Sequence, residues 1–311
     1  MALYELKPER STLHGHFSRD LPPVLTIDPG DTVQFQCLES GWRLEGFTSP
    51  DLRPRVFAER DPGELDSGHA LTGPVAIRGA QPGMTLAVSV DRLEVGTFGT
   101  TFAGGWVCEW NQRLNATTEG AVHVWTLDRA ANTARNQFGH VLQLRPFMGI
   151  YGMPPAEAGI HSTVPPRRTG GNIDCKELIV GSTVYLPIEV AGGLFSTGDG
   201  HAVQGDGEIA VTAIECPVER VDLTFELLDD MPLAMPVANT PAGWLALGFD
   251  KDLDEAAAFA VEGILGVMKR LYGLERLDAL ALASLVVDLR VTQMVNQVRG
   301  VHALLPHGAI K

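Results

Sequence analysis

The stretch "GPVAIRGAQPGMTLAVSVDRLEV" (Gly73–Val95) holds two short apolar runs around a turn built from Gly79, Pro82 and Gly83. Proline presets φ and glycine accepts φ > 0, so the pair marks a reversal between strands. "VLTIDPGDTVQFQC" (Val24–Cys37) has the same form around Asp-Pro-Gly. "GSTVYLPIEV" (Gly181–Val190) is a further β-branched run, and "GEIAVTAIECPVERVDLTFELL" (Gly207–Leu228) reads as two strands broken at Pro217. Short strands closely punctuated by turns predict a mainly β protein, a sandwich or barrel-like body, over residues of about 3–235.

The pattern changes after Asp250. In "DLDEAAAFAVEGILGVMKRLYGL" (Asp252–Leu274), Ala257, Val261, Ile264, Leu265, Met268 and Leu271 recur at helical spacing. Asp252 or Asp254 suits its start, and Gly273 its end, with Lys269 and Arg270 in the last turn. "ERLDALALASLVVDLRVTQMVNQ" reads as a second, well-buried helix, Leu277–Val298. The expectation is a single unit over 1–311, with a small α-helical segment at about 252–298 packed on the β body. The Pro/Gly-rich Met153–Asn172 reads as a long ordered loop near the site.

Composition narrows the function. Asp and Glu number 38 against 24 Lys and Arg, a net charge of −14. Such a balance speaks against nucleic acid and anionic membrane as partners and fits a small neutral or cationic ligand. No stretch approaches the ~20 apolar residues of a membrane span, and the first residues lack a signal-peptide core, so a cytoplasmic protein is expected. Cys37, Cys108, Cys175 and Cys216 form no CxxC pair and read as reduced thiols, with Cys175 to be watched as a nucleophile.

Chemistry concentrates in "GGLFSTGDGHAVQGDGEIAV" (Gly192–Val211). If Phe195–His201 and Asp206–Val211 are the arms of a hairpin, His201 faces Asp206, Asp199 faces Glu208, and all four share one side. Three carboxylates ~4.5–5.5 Å apart repel unless a cation or shared proton lies among them. Carboxylates with imidazole suit Zn²⁺ and its neighbours. Spacing alone serves an exposed Asp-Gly turn equally well. "GGNIDCKEL" (Gly170–Leu178) sets Asn172, Asp174 and Lys176 at alternate positions, on one side of an extended segment. His69, in "DSGHALTG", precedes a strand.

Taken together, "HALTGPVAIRGAQPGMTLAVSV", "GGNIDCKELIVGSTVYLPIEV" and "GGLFSTGDGHAVQGDGEIAVTAIE" resemble the acetamidase/formamidase family. "RPFMGIYGMPP" (Arg145–Pro155) and "LASLVVDLRVTQMVNQVRGVHALLP" (Leu282–Pro306) are similar to two further signatures of it. The resemblance implies hydrolysis of small aliphatic amides, acetamide or formamide in type, to carboxylate and ammonia. It also implies a mainly β, metal-containing homo-oligomer, dimer or tetramer. Site candidacy passes to Asp199, His201, Gln204, Asp206 and Glu208, to Asn172, Asp174 and Lys176, and to His69. In the mechanism so implied, His69, Asp174, Asp199 and His201 bind one divalent metal, zinc first and calcium or another cation second. The metal activates water, Glu208 is the general base, and Lys176 or Asn172 stabilises the oxyanion, with Asp206 beside them in the catalytic group. Two departures stand out: Met84, where the family usually has an acid, and Thr97–Gln112, which matches poorly. Two other readings compete. One is a metal-independent amidase using Glu, Lys176 and Cys175; the other is a non-catalytic, metal-dependent β protein that binds a small ligand.

Overall fold

The computed structural model describes residues 1–49, 52–63 and 65–311. Among them the strands form two sheets. The nine-stranded sheet runs in the order Leu3–Leu6, Thr32–Cys37, Val218–Leu228, Thr85–Val95, Thr183–Pro187, Val237–Thr240, Gly243–Asp250, Arg299–Pro306, Asp288–Gln293. The eleven-stranded sheet runs Val141–Gln143, Thr133–Asn136, Gly120–Asp128, Phe98–Gly104, Glu215–Cys216, Phe195–His201, Phe147–Gly152, Gly170–Asn172. Leu71–Ile77 joins it beside Phe195–His201 and carries Leu13–His14 and Leu25–Ile27. The protein is mainly β, as the turn chemistry predicts.

One apolar core joins side chains of both sheets. Val33, Val88 and Leu223 of the first belong with Ile77, Met148 and Tyr151 of the second, all buried. Phe35, Phe195 and Phe225 meet edge to face, with ring centroids 5.1–6.4 Å apart, an arrangement that aromatic quadrupoles favour.

Helix Leu253–Tyr272 begins on Asp252, whose carboxylate accepts from the Asp254 N–H, and ends on left-handed Gly273. Its Ala256, Ala260, Ile264 and Met268 are buried at intervals of four, in a second apolar cluster with Ala246 and Ala303 of the strands beneath. The buried stripe is displaced from the expected one: Ala257 and Val261 are half-buried and Leu271 is exposed.

The second helix differs from expectation in length and burial. It covers Arg276–Val286 only, and Leu277 and Leu285 are 76% and 79% exposed. The chain then continues as the strands Asp288–Gln293 and Arg299–Pro306, paired antiparallel at the edge of the nine-stranded sheet. Consecutive β-branched Val286 and Val287 disfavour further helix, and "DLRVTQ" alternates with the period of a strand.

Candidate active site

Strand Phe195–His201 lies inside its sheet. One edge pairs with Phe147–Gly152; the other pairs with Leu71–Ile77 and then with Glu215–Cys216. No edge remains for Asp206–Val211, so the expected hairpin does not form. His201 faces Glu215, not Asp206. The glycines flanking Asp199 serve close packing rather than a turn. A Cβ on Gly198 would lie 2.4 Å from the Ala70 carbonyl oxygen, and one on Gly200 would lie 2.3 Å from Val218 Cγ2.

Asp174, Asp199, His201, Glu208 and Glu215 converge, all buried. His201 Nε2 lies 3.4 Å from Asp199 Oδ2 and 3.3 Å from Glu215 Oε2, and neither approach has hydrogen-bond geometry. Its Nδ1 is 2.8 Å from Gln204 Oε1, while Gln204 Nε2 donates to the Asp174 carbonyl oxygen at 2.8 Å. The second bond fixes the Gln204 amide, so Nδ1 carries the hydrogen and Nε2 turns toward the two carboxylates. Asp174 Oδ1 is buried without a partner. Its Oδ2 accepts from Asn296 Nδ2 at 2.8 Å and Gln293 Nε2 at 3.3 Å, and Asn296 also donates to Glu208 Oε2 at 3.2 Å.

The charges balance only around something positive. Burial pushes the Asp174 and Glu208 carboxyls well above the carboxylate range, and neighbouring acids add to it, Asp199 and Glu215 for Asp174 and chiefly Asp174 for Glu208. For His201, burial favours the neutral ring, but Glu215 and Asp199 outweigh it and raise its pKa well above the ordinary value. For Asp199, burial is outweighed by His201 and His69, and its pKa falls. A proton or a cation therefore belongs between Nε2 and the carboxylates.

Backbone strain gathers at the same place. Asp174, Asp199 and Glu208 have φ of 51°, 60° and 46°, the sparsely used left-handed region. Such conformations cost about 1–3 kcal/mol each and persist where the surroundings hold them. Gly149 adds room: a Cβ there would lie 2.6 Å from Asp199 Oδ2 and 2.7 Å from Asp174 Oδ1. Two unpartnered lone-pair atoms, Asp174 Oδ1 and His201 Nε2, and this open ground fit a bound cation.

Other sequence candidates fall differently. Lys176 and Asp206 leave the cluster to form an ion pair with each other at 2.8 Å, both partly exposed. Asn172 is buried; its amide NH₂ donates to the Val164 carbonyl, and its unpartnered Oδ1 is an acceptor, the wrong polarity for an oxyanion. Asn172, Asp174 and Lys176 thus do not face one way, because Asp174 turns left-handed after Gly170–Asn172 ends. His69 sits at the rim, its Nδ1 2.8 Å from Thr163 Oγ1, and no atom of it joins the converging donor groups among the described residues. Thr163 belongs to the Pro/Gly-rich loop, which does lie against the site. A pocket of about 300 Å³ has His69 and Glu215 in its wall, with Glu39, Arg43, Phe102 and Val164.

Four contributors were not singled out from the sequence: Glu215, Asn296, Gln293 and Gly149. Each lies inside a quoted segment, but only three-dimensional pairing brings them to Asp174 and His201.

A model of the acetamidase/formamidase family matches residues 4–162 and 156–306. The chain belongs to the acetamidase/formamidase family. It is 28% identical over 270 residues to the formamidase of Methylophilus methylotrophus, covering 70% of this chain and 64% of that protein. It spans 60–64% of the length of the curated relatives it matches. Among solved structures, a crystal structure titled as a predicted acetamidase/formamidase from Thermoanaerobacter tengcongensis superposes with a TM-score of 0.84 at 23% identity, covering 98% and 96% of the two chains. Acetamidase from Bacillus halodurans superposes at 0.82 with 25% identity and 97% coverage of each. The acetamidase/formamidase fold is thus present over nearly the whole chain. No helix of the described residues is long and apolar enough to cross a membrane.

The cysteines are poorly suited to attack. Cys175 and Cys37 are buried, and burial pushes both thiols up to about 12; Cys216 is buried and raised too. Cys108 alone is partly exposed. Iodoacetamide on the native protein is expected to label Cys108 only, as mapped by mass spectrometry, with ammonia release retained. Labelling of Cys175 with loss of turnover would restore the thiol route.

Proposed function

We propose that the protein hydrolyses small aliphatic amides to carboxylate and ammonia, at the cluster of Asp174, Asp199, His201, Glu208 and Glu215. The observation that carries the reading is the pair of buried, unpartnered lone-pair atoms, Asp174 Oδ1 and His201 Nε2, set among carboxylates with Gly149 keeping the space open. Family membership and the relatives named formamidase and acetamidase support it.

Asp174, Asp199, His201 and Glu215 would hold one divalent cation, zinc by preference for mixed carboxylate and imidazole donors. When bound, it supplies polarisation of the amide carbonyl and a lowered pKa, toward ~7, for water. Gln204 holds the His201 ring with Nε2 inward. Asn296 aims the Glu208 carboxyl, which takes the proton of the attacking water and returns it to the departing nitrogen. Burial, with the Asp174 carboxyl beside it, raises Glu208 well above the ordinary carboxylate range and so favours its holding a proton between the two transfers. His69, at the pocket rim, donates to the substrate oxygen. Lys176 and Asp206 hold each other and so brace the loop that carries Glu208.

The same reading takes the chain as one functional unit, cytoplasmic and homo-oligomeric. Free, mostly buried thiols and the exposed leucines of the second helix support those parts.

Elemental analysis of the purified protein, with ammonia release from acetamide followed on the same sample, tests the proposal. About one divalent metal per chain is expected. Chelation should abolish turnover and zinc should restore it. Undiminished turnover by metal-free protein would end the metal reading; metal retention without turnover on any small amide would favour the binding-protein alternative.

A further inference from the structure

The wall of the pocket beside the cluster mixes charged and polar groups, Glu39, Arg43, Arg60, His69 and Glu215 among them, with the apolar side chains of Phe102 and Val164. Phe102 lies on strand Phe98–Gly104, inside the Thr97–Gln112 stretch where the family resemblance is weakest.

The Phe102 ring is held from several directions. The Thr212 hydroxyl accepts from the Phe102 N–H and donates to the Phe102 carbonyl, each at 2.9 Å. The Arg43 guanidinium stands 5.1 Å from the Phe102 ring centroid and 5.3 Å from that of Phe47. The two rings meet edge to face at 5.7 Å. Arg43 is itself tied by an ion pair to the buried carboxylate of Glu39. Swinging the ring aside therefore breaks a cation–π contact and disturbs a buried ion pair, so the ring acts as a fixed wall. Val164, also in the wall, follows Thr163, whose hydroxyl anchors both the backbone N–H and the ring of His69.

We propose that Phe102 sets the length of the acyl chain this site admits, with Arg43 as the residue that positions the ring. The inference rests on the amide reading above and narrows it to short straight-chain amides, because further carbons of the acyl group meet the ring. The polar groups of the wall receive the amide group, and the Phe102 ring meets the acyl carbons. A pocket discriminates a single methylene by about 10–200-fold, so a wall at this position has a large effect on choice of substrate.

The test compares formamide, acetamide, propionamide, butyramide and hexanamide on the wild-type chain and on Phe102→Ala, Phe102→Leu and Arg43→Lys. For the wild type, kcat/KM should fall steeply by hexanamide. Phe102→Ala should raise the hexanamide-to-acetamide ratio by at least about tenfold, mainly through KM. Phe102→Leu should shift it less. Arg43→Lys keeps the charge beside Glu39 but loses the planar stack, and should shift the ratio in the same direction. An unchanged ratio in Phe102 variants with wild-type circular dichroism overturns the proposal. Calorimetric binding of the same amides separates this from failure of the hydrolase reading. A wild type that turns over none of them, yet binds acetamide and refuses hexanamide until Phe102 is trimmed, keeps the wall and rejects the hydrolase. Equal binding at every chain length rejects the wall.

Discussion

Glu208→Gln is expected to lower kcat on the proposed substrate acetamide by roughly 10²–10⁴-fold while the cation proposed for the site and the fold are both kept. The substitution preserves volume and leaves an oxygen for Asn296, which now donates to Glu208 Oε2 at 3.2 Å. It removes only the ability to take and return a proton. Glu208 also stands within reach of His201 and Glu215, where it could act as a cation ligand instead. Elemental analysis separates the two roles. Metal retained with turnover lost assigns proton transfer. Metal lost together with turnover makes Glu208 a ligand, and turnover retained removes it from the reaction.

Gly149→Ala is expected to be as severe by a different route. The added methyl carbon would lie 2.6 Å from Asp199 Oδ2, 2.7 Å from Asp174 Oδ1 and 3.0 Å from His201 Cε1. Gly149 is on a buried strand bonded on both edges, so the backbone cannot retreat and the carboxylates must move. Overpacking of this kind costs about 1–3 kcal/mol of stability. Displacing two donors should weaken metal affinity by roughly 10²-fold or more, with turnover falling alongside. Equilibrium dialysis against zinc with thermal unfolding distinguishes a damaged site from a damaged fold. Wild-type affinity in a folded Gly149→Ala protein would show that the space between Asp174 and Asp199 holds no cation.

The β architecture is readable where turn chemistry is local. Asp28-Pro29-Gly30 and the Pro82-Gly83 turn both separate strands where expected. Partner choice is not local. Phe195–His201 takes neighbours from residues 71–77, 147–152 and 215–216, selected by how closely Gly198 and Gly200 let other backbone and side chains approach. A hairpin reading takes the nearest run in sequence as partner, and so exchanges Glu215 for Asp206. Asp174, Asp199, His201 and Glu208 still meet, though not on one strand pair, because three of them sit at left-handed kinks that alternation along a strand does not foresee. The second helix is shorter than its apolar content predicts for a similar reason. Its apolar count stays high after Val286, while the spacing changes from helical to alternating.

Gln293 and Asn296 hold Asp174 and Glu208 from 88 to 122 residues further along the sequence, and Gly207 exchanges backbone hydrogen bonds with Thr292 and Met294. During synthesis, the ribosome has delivered every acid of the cluster some eighty residues before it delivers Asn296. Until that asparagine emerges, Asp174 and Glu208 lack the amide donor that they share. A nascent chain therefore carries the acids without the clasp until the segment that follows strand Asp288–Gln293 has been made.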